Sequence, residues 1–191
     1  MIRFARLGLL VAGLLVATLV APGAGAETSA QFAVLSARAP DDPNVNGLRF
    51  SVLQGKASSV RGVDFGLLSL SQTQTFSGAA FIFGISNVTG NVDAGATFAL
   101  VSLHEGSDTG VNASFINLTN EVPNGMNFGF VNVASGHTML DFGGYNGSKS
   151  SEAQIGFINF TDRIDGVQIG FLNFAKNGFF PVFPFVNFPK R

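Results

Sequence analysis

From Asn46 onward the apolar and polar positions of the chain recur with one period. The unit is apolar–x–Phe–Gly–apolar–apolar–Asn–apolar, written ten times, and self-similarity of this kind outranks local signals in assigning a fold. The clearest copies are VDFGLLSL from Val63, MNFGFVNV from Met126, AQIGFINF from Ala153 and VQIGFLNF from Val167. With the Asn position as zero, the series reads Gln54, Ser69, Asn87, Ser102, Asn117, Asn132, Asn146, Asn159, Asn173 and Asn187, at spacings of 13–18 residues. Phe fills position −4 in seven of the ten copies, and Gly fills −3 in six.

Each copy holds eight to ten strand-like residues and then a short turn such as SQTQ, TNEVPN or TDRID, which leaves no room for a helix. Alternation places −6, −4 and −2 on one face, as in Val63, Phe65 and Leu67, and that face is wholly apolar. Position −5 is the polar site of the strand: Arg49, Asp64, Thr97, Asn112, Asn127, Asp141, Gln154 and Gln168. The expected architecture is all-β, a β-solenoid of about ten repeats of 13–18 residues. Equivalent residues would stack about 4.8 Å apart, Phe on Phe and Asn on Asn, over a rod of about 48 Å. An Asn column suits that geometry because each side-chain amide bonds the ones above and below. Glycine at −3 and the apolar pair at −2 and −1 fit a sharp bend.

The alternative is an up-and-down antiparallel barrel of about ten strands in the outer membrane, its apolar face toward lipid. One Tyr and no Trp give it no aromatic girdle, and all its loops are short. Pro181 and Pro184 differ in parity, so the last strand would lose bonds to both neighbours; a one-sided terminal strand tolerates this better. An open meander fails alone, with two bare apolar faces.

The segments GVQIGFLNFAKNGFFPVFPFVNF (166–188), AQIGFINFTDRIDG before it and DTGVNASFINLTNEV (108–122) carry a resemblance. They resemble an uncharacterised exported repeat family of Gram-negative bacteria with G-apolar-Q-apolar-G-apolar-apolar-N units and an N-G-F-x-P-x-F-P-x-x-N-F tail. The resemblance implies export and repeat architecture, and it brings no catalytic or binding residue with it.

Ahead of the repeats, residues 1–26 read as a signal peptide. Arg3 and Arg6 precede an apolar run from Leu7 to Val20, and Ala24-Gly25-Ala26 supplies the cleavage site. The run is shorter than the ~20 residues of a membrane span. Residues 27–45 form a lead-in strand or cap with a turn at Pro40–Pro43, and 46–191 form a single repeat domain with a Pro-rich end. Removing the leader leaves nine basic and 12 acidic residues, a net charge of −3 that fits neither a nucleic-acid binder nor a polybasic membrane surface. Charged residues make up 12% of the chain, about half the usual share, and there are 21 Phe and no Cys. Disulfides, thiolate metal sites and Cys nucleophiles are thereby excluded.

The repeats offer little catalytic chemistry. His104 and His137 fall in turns about two coils apart, without ligand spacing between them. Asp64 and Asp141 are the in-strand carboxylates; five coils, about 24 Å, separate them, too far for paired acid–base work. Asp93, Glu105, Asp108, Glu121, Glu152, Asp162 and Asp165 fall in turns, where charge solvates an edge. Arg49 and Asp64 suggest an ion pair between neighbouring repeats, worth under about 1 kcal/mol if exposed. One surface is a candidate: Thr97, Asn112, Asn127, Asp141, Gln154 and Gln168 as a flat polar stripe, its amides suited to polysaccharide or another polar partner.

The expectation is an exported, non-enzymatic repeat protein of structural or surface-interaction role, in the periplasm, the outer membrane or at the cell surface. It has no cofactor, no metal and no nucleic-acid partner, and contact with the cell envelope or polysaccharide is the partner class that fits. The alternative is a small plugged outer-membrane barrel. With the Phe column packed inside a solenoid, Phe128→Ala would cost about 3–5 kcal/mol through the cavity it leaves, read by thermal or denaturant melting.

Overall fold

Parallel pairing between successive repeats organises the chain. The computed structural model describes residues 27–35 and 37–190; the leader of residues 1–26 lies outside the described residues. It is an all-β solenoid with element order β1 (Thr28–Val34), β2 (Ala37–Ala39), β3 (Asn44–Val88), β4 (Val92–Ala134), β5 (His137–Ala175) and β6 (Val182–Asn187). The three long strands each wind through several coils. Pairing is parallel from β1 to β3, β3 to β4 and β4 to β5, and antiparallel only at the two ends. An up-and-down barrel requires antiparallel neighbours throughout, so the barrel alternative is not the fold of this chain.

The lead-in segment is itself a rung. Gln31, Phe32 and Ala33 of β1 lie beside Arg49, Phe50 and Ser51, and β2 folds back antiparallel over the outer edge of β1. At the far end β6 pairs with β5 alone, which is where Pro181, Pro184 and Pro189 do least harm. Both growing edges of the sheet therefore end in short antiparallel strands.

The orientation of the faces is the main departure from the sequence-based reading. Phe128 and its equivalents are not inside. Position −5 faces the interior, −4 faces out, Gly at −3 turns in, and −2 faces out again. Alternation then breaks, and the Asn at zero points in. The break is the corner of the coil; at two early corners Leu53 and Leu68 (position −1) take positive φ of 65° and 47°. The corner thus turns the −2 side chain outward while the zero side chain stays inside.

The physical reason is room. A coil of 13–15 residues encloses a narrow interior, and its space is taken by amides. A Cβ added at Gly129 would meet Asn117 Nδ2 at 2.8 Å and Asn132 Oδ1 at 2.9 Å; at Gly143 and Gly156 it would meet the Nδ2 of Asn132 and Asn146 at 2.7 and 2.6 Å. Glycine at −3 is the complement of asparagine at zero. A column of Phe does not fit there and is displaced outward.

The interior differs along the rod. In its N-terminal half Val45, Ala57, Val60, Phe76, Ala80, Ile82, Val88 and Val92 form an apolar cluster. From Asn112 on, the filling is largely hydroxyls and amides, held by hydrogen bonds. In the third repeat the register also differs from the sequence reading. Ser86 lies opposite Ser102, and Phe81 stands in the column with Phe65 and Phe98, with a bulge after Ile82. Position zero there is Ser86, not Asn87, and position −4 is Phe81, not Phe83.

Stability should follow the amides rather than the rings. Asn146→Ala is expected to cost about 3 kcal/mol, since it leaves buried amide partners on two coils unsatisfied. Phe157→Ala should cost under about 1.5 kcal/mol, the worth of an outward aromatic pair. Melting of the two variants side by side checks the order, and a larger loss for Phe157→Ala would contradict this orientation.

Candidate interaction surface

The polar stripe expected at the surface lies inside. Thr97, Asn112, Asn127, Asp141, Gln154 and Gln168 are all at most 1% exposed. They belong to one interior column that runs from Gln31 through Arg49, Asp64 and Ala80 and ends at Asn187 of β6. Asn112 Nδ2 donates to Asn127 Oδ1 at 3.1 Å, Asn127 Nδ2 to Asp141 Oδ1 at 2.9 Å, and Gln168 Nε2 to Gln154 Oε1 at 2.8 Å. Apart from the Thr97 hydroxyl, which has no partner, these side chains are bonded to one another and to neighbouring interior groups, as buried polar groups generally are. They offer no face to a sugar or other outside partner.

Other polar residues are also drawn in. Arg49 and Asp64 do pair, Nε to Oδ1 at 2.9 Å, but fully buried rather than exposed, with the Ser71 hydroxyl bonded to both. His104 and Asp108, expected in solvated turns, are buried and joined Nδ1 to Oδ2 at 2.7 Å, with Asn112 Nδ2 donating to the same carboxylate oxygen. His137 stays at the rim, 3.0 Å from the Ser150 hydroxyl. Glu105, Glu121, Glu152 and Asp165 are exposed as expected. No group of three or more His, Asp or Glu side chains stands together as a metal site among the described residues.

A second column is formed by position zero. Asn117, Asn132, Asn146, Asn159 and Asn173 form a ladder, the Nδ2 of each of the first four donating to the next Oδ1 at 2.7–2.8 Å. The other Nδ2 proton goes to the carbonyl of residue −4 in the next coil: Phe128, Phe142, Ile155, Ile169 and Phe183, at 2.9–3.1 Å. Asn is the one small side chain with two donors and an acceptor in this geometry. The ladder has a direction, and its first carbonyl, Asn117 Oδ1, finds no donor because Ser102 bonds to Ser114 instead.

What the solenoid shows to solvent is the Phe set. Phe65, Phe81 and Phe98 stack at 5.4 and 5.2 Å between ring centroids; Phe115 and Phe130 stack at 5.4 Å, and Phe157 and Phe171 at 5.1 Å. Interplanar angles of 4–18° leave the ring faces covered by one another and the ring edges pointing outward. Position −2 is strongly exposed, with Phe115 and Phe130 at 61%; Asn187 is not position zero of a tenth coil, because antiparallel β6 sets it opposite Gln168 and the 69%-exposed Phe185 opposite Gly170. Leu118, Val133 and Phe160 at +1 extend the apolar surface past the corner. The exposed charges lie elsewhere on the coil, at Lys56, Arg61, Glu105, Glu121, Lys149, Glu152, Arg163 and Lys176. The rod is thus amphipathic in cross-section, with an apolar convex ridge on one side and a charged rim on the other. The sequence already separated these sets. What it did not show was which of the two strand faces turns outward.

Burial raises the pKa of Asp141 above its ordinary 3.8, against the opposing pull of hydrogen bonds from Thr138, Asn127 and Gln154. A carboxyl that binds its proton more tightly folded than unfolded adds stability below the unfolded value. That contribution is lost as pH rises through the folded value. Asp141→Asn keeps the shape and the Asn127 bond while removing the buried charge. It is expected to raise the melting temperature at pH 7 and to flatten its fall as the pH rises above 3.8, as followed by circular dichroism. Neither a protein-family model, nor a curated protein, nor a solved structure matches this chain.

Proposed function

We propose that this is an exported, non-catalytic repeat protein of the cell envelope, whose role is to present an apolar surface for interaction. The observation that carries the reading is the outward aromatic ridge. Soluble monomers rarely leave a contiguous apolar patch beyond a few hundred Å². Here sixteen Phe are exposed. If each shows roughly half of about 200 Å², the rings alone amount to about 1,600 Å². The buried carboxylates and His104 are engaged in interior hydrogen bonds, which suits a structural role for them.

Membership of the Gram-negative exported repeat family fits the same picture. The residues that carry the resemblance, Gln or Asn at −5, Gly at −3 and Asn at zero, are those that build the interior columns. The tail residues 177–188 form the terminal cap, where Asn187 Nδ2 meets Gln168 Oε1 at 3.4 Å and Phe179 N–H donates to Phe188 O at 2.7 Å. The motif is thus a prescription for a fold rather than for a binding site.

The test is to replace Phe115, Phe130, Phe157 and Phe171 together by Ser and fractionate a Gram-negative host that exports the chain. The folded variant, with its β circular dichroism intact, is expected to leave the envelope fraction for the soluble one. A folded variant that stays with the envelope as the parent does would overturn the role given to the ridge.

A further inference from the structure

Resting on that reading of the ridge, we infer that its partner is the acyl region of a lipid surface, on which the rod lies along its length without crossing. Three observations on the ridge select lipid over a second copy of the chain. The first is shape. The −4 column and the +1 column stand on opposite sides of the corner at −2 and −1, so their side chains diverge. A convex edge of this kind meets another rigid convex edge along a line, whereas fluid acyl chains close around it.

The second is area. A standard protein interface buries about 800 Å² on each partner. Ridge and C-terminal cap together expose about twice that in their Phe residues, so one such contact would leave a large part of the surface in water. The third is the distribution of charge. Exposed charged side chains lie off the ridge, with both signs interleaved, as in the pairs Arg163–Asp165 and Lys176–Asp162. This leaves a hydrated back to the rod and no polybasic patch to seek anionic headgroups. The attraction is therefore the apolar one, of the kind that seats an amphipathic element about 5–10 Å into a leaflet.

The inward amides complete the requirement. Backbone groups facing lipid must be satisfied within the protein. In a solenoid each rung pairs with the rungs above and below, and the outer edges carry β2 and β6. Phe179, Phe180, Phe185 and Phe188 continue the exposed aromatic surface over the C-terminal cap.

The chain has no Trp, so single tryptophans report without background. Phe157→Trp places a probe on the ridge, and Glu152→Trp places one five residues away on the charged rim. With vesicles of zwitterionic phosphatidylcholine, the ridge probe is expected to shift to shorter wavelength. Lipids brominated in mid-chain should quench most of its emission, equally at low and high salt. The rim probe should keep its emission. If Phe157→Trp does not fold, Phe130→Trp serves in its place.

Full-length chain suits this test, because any binding by the leader is common to both variants and leaves the ridge probe unquenched. An unquenched ridge probe in a chain that sediments as an oligomer overturns lipid as the partner and leaves the ridge an interaction surface between copies. Equal quenching of both probes overturns the lying geometry. An unquenched probe in a monomer that stays soluble overturns both the lipid partner and the role of the ridge.

Discussion

The amide column at position zero is the constraint on which the other features depend. A side-chain amide buried in a narrow coil must bond three times, and stacking identical coils at the spacing of a parallel sheet is one arrangement that supplies all three partners. Asn132 shows the device in full. Its carbonyl accepts from Asn117, and its Nδ2 donates to Asn146 Oδ1 and to the Phe142 carbonyl. The repeat length, the glycine three residues earlier and the parallel register all follow from keeping that unit intact. Where the column changes to Ser69, Ser86 and Ser102, the glycine requirement relaxes and the interior becomes apolar instead.

That choice of interior decides the exterior. In the C-terminal half amides and glycines fill the inside of the coil, and the rings at −4 and −2 are left to stack on the outside. Their stacking is a by-product of the rung spacing: rings at equivalent positions arrive about 5 Å apart whether or not their contact adds much. Dispersion between neighbouring rings then contributes modestly, while the larger consequence is an exposed apolar surface running along the rod. Low overall charge follows from the same division of labour, since much of the outward face is given to apolar side chains. A buried Asp141 in place of another Asn is the local exception, held by Thr138, Asn127 and Gln154. Arg49, Asp64 and Ser71 form the corresponding bonded cluster near the start of the rod, with one guanidinium nitrogen, Nη1, left without a partner.

The two ends are handled alike. Gln31 closes the −5 column at the start by donating to the carbonyls of Pro40 and Asp42, and Asn187 closes it at the finish. Each end strand runs antiparallel, so the next identical chain finds no matching parallel edge. A rod capped in this way is a discrete unit with a defined length. Among the described residues its long unpartnered feature is the ridge.

Fold class was legible in the sequence because period and composition suffice for it. A repeat of 13–18 residues with no room for a helix gives coils, and a recurring Asn with Gly three before it gives a stacked ladder. The prolines of the tail marked a one-sided terminal strand, and β6 is one. Alternation, however, defines two faces without saying which is inside, and the usual preference for apolar interiors pointed the wrong way. Only the closed coil shows that its cross-section cannot hold Phe at −4 and that the amide of Asn132 occupies the space beside Gly129. The buried stripe from Thr97 to Gln168, the inward His104 and the one-residue difference at Ser86 have the same origin. Sequence spacing counts residues along the chain, whereas burial depends on where a corner falls, and a single bulge or a positive φ at Leu53 or Leu68 moves every following side chain to the other face.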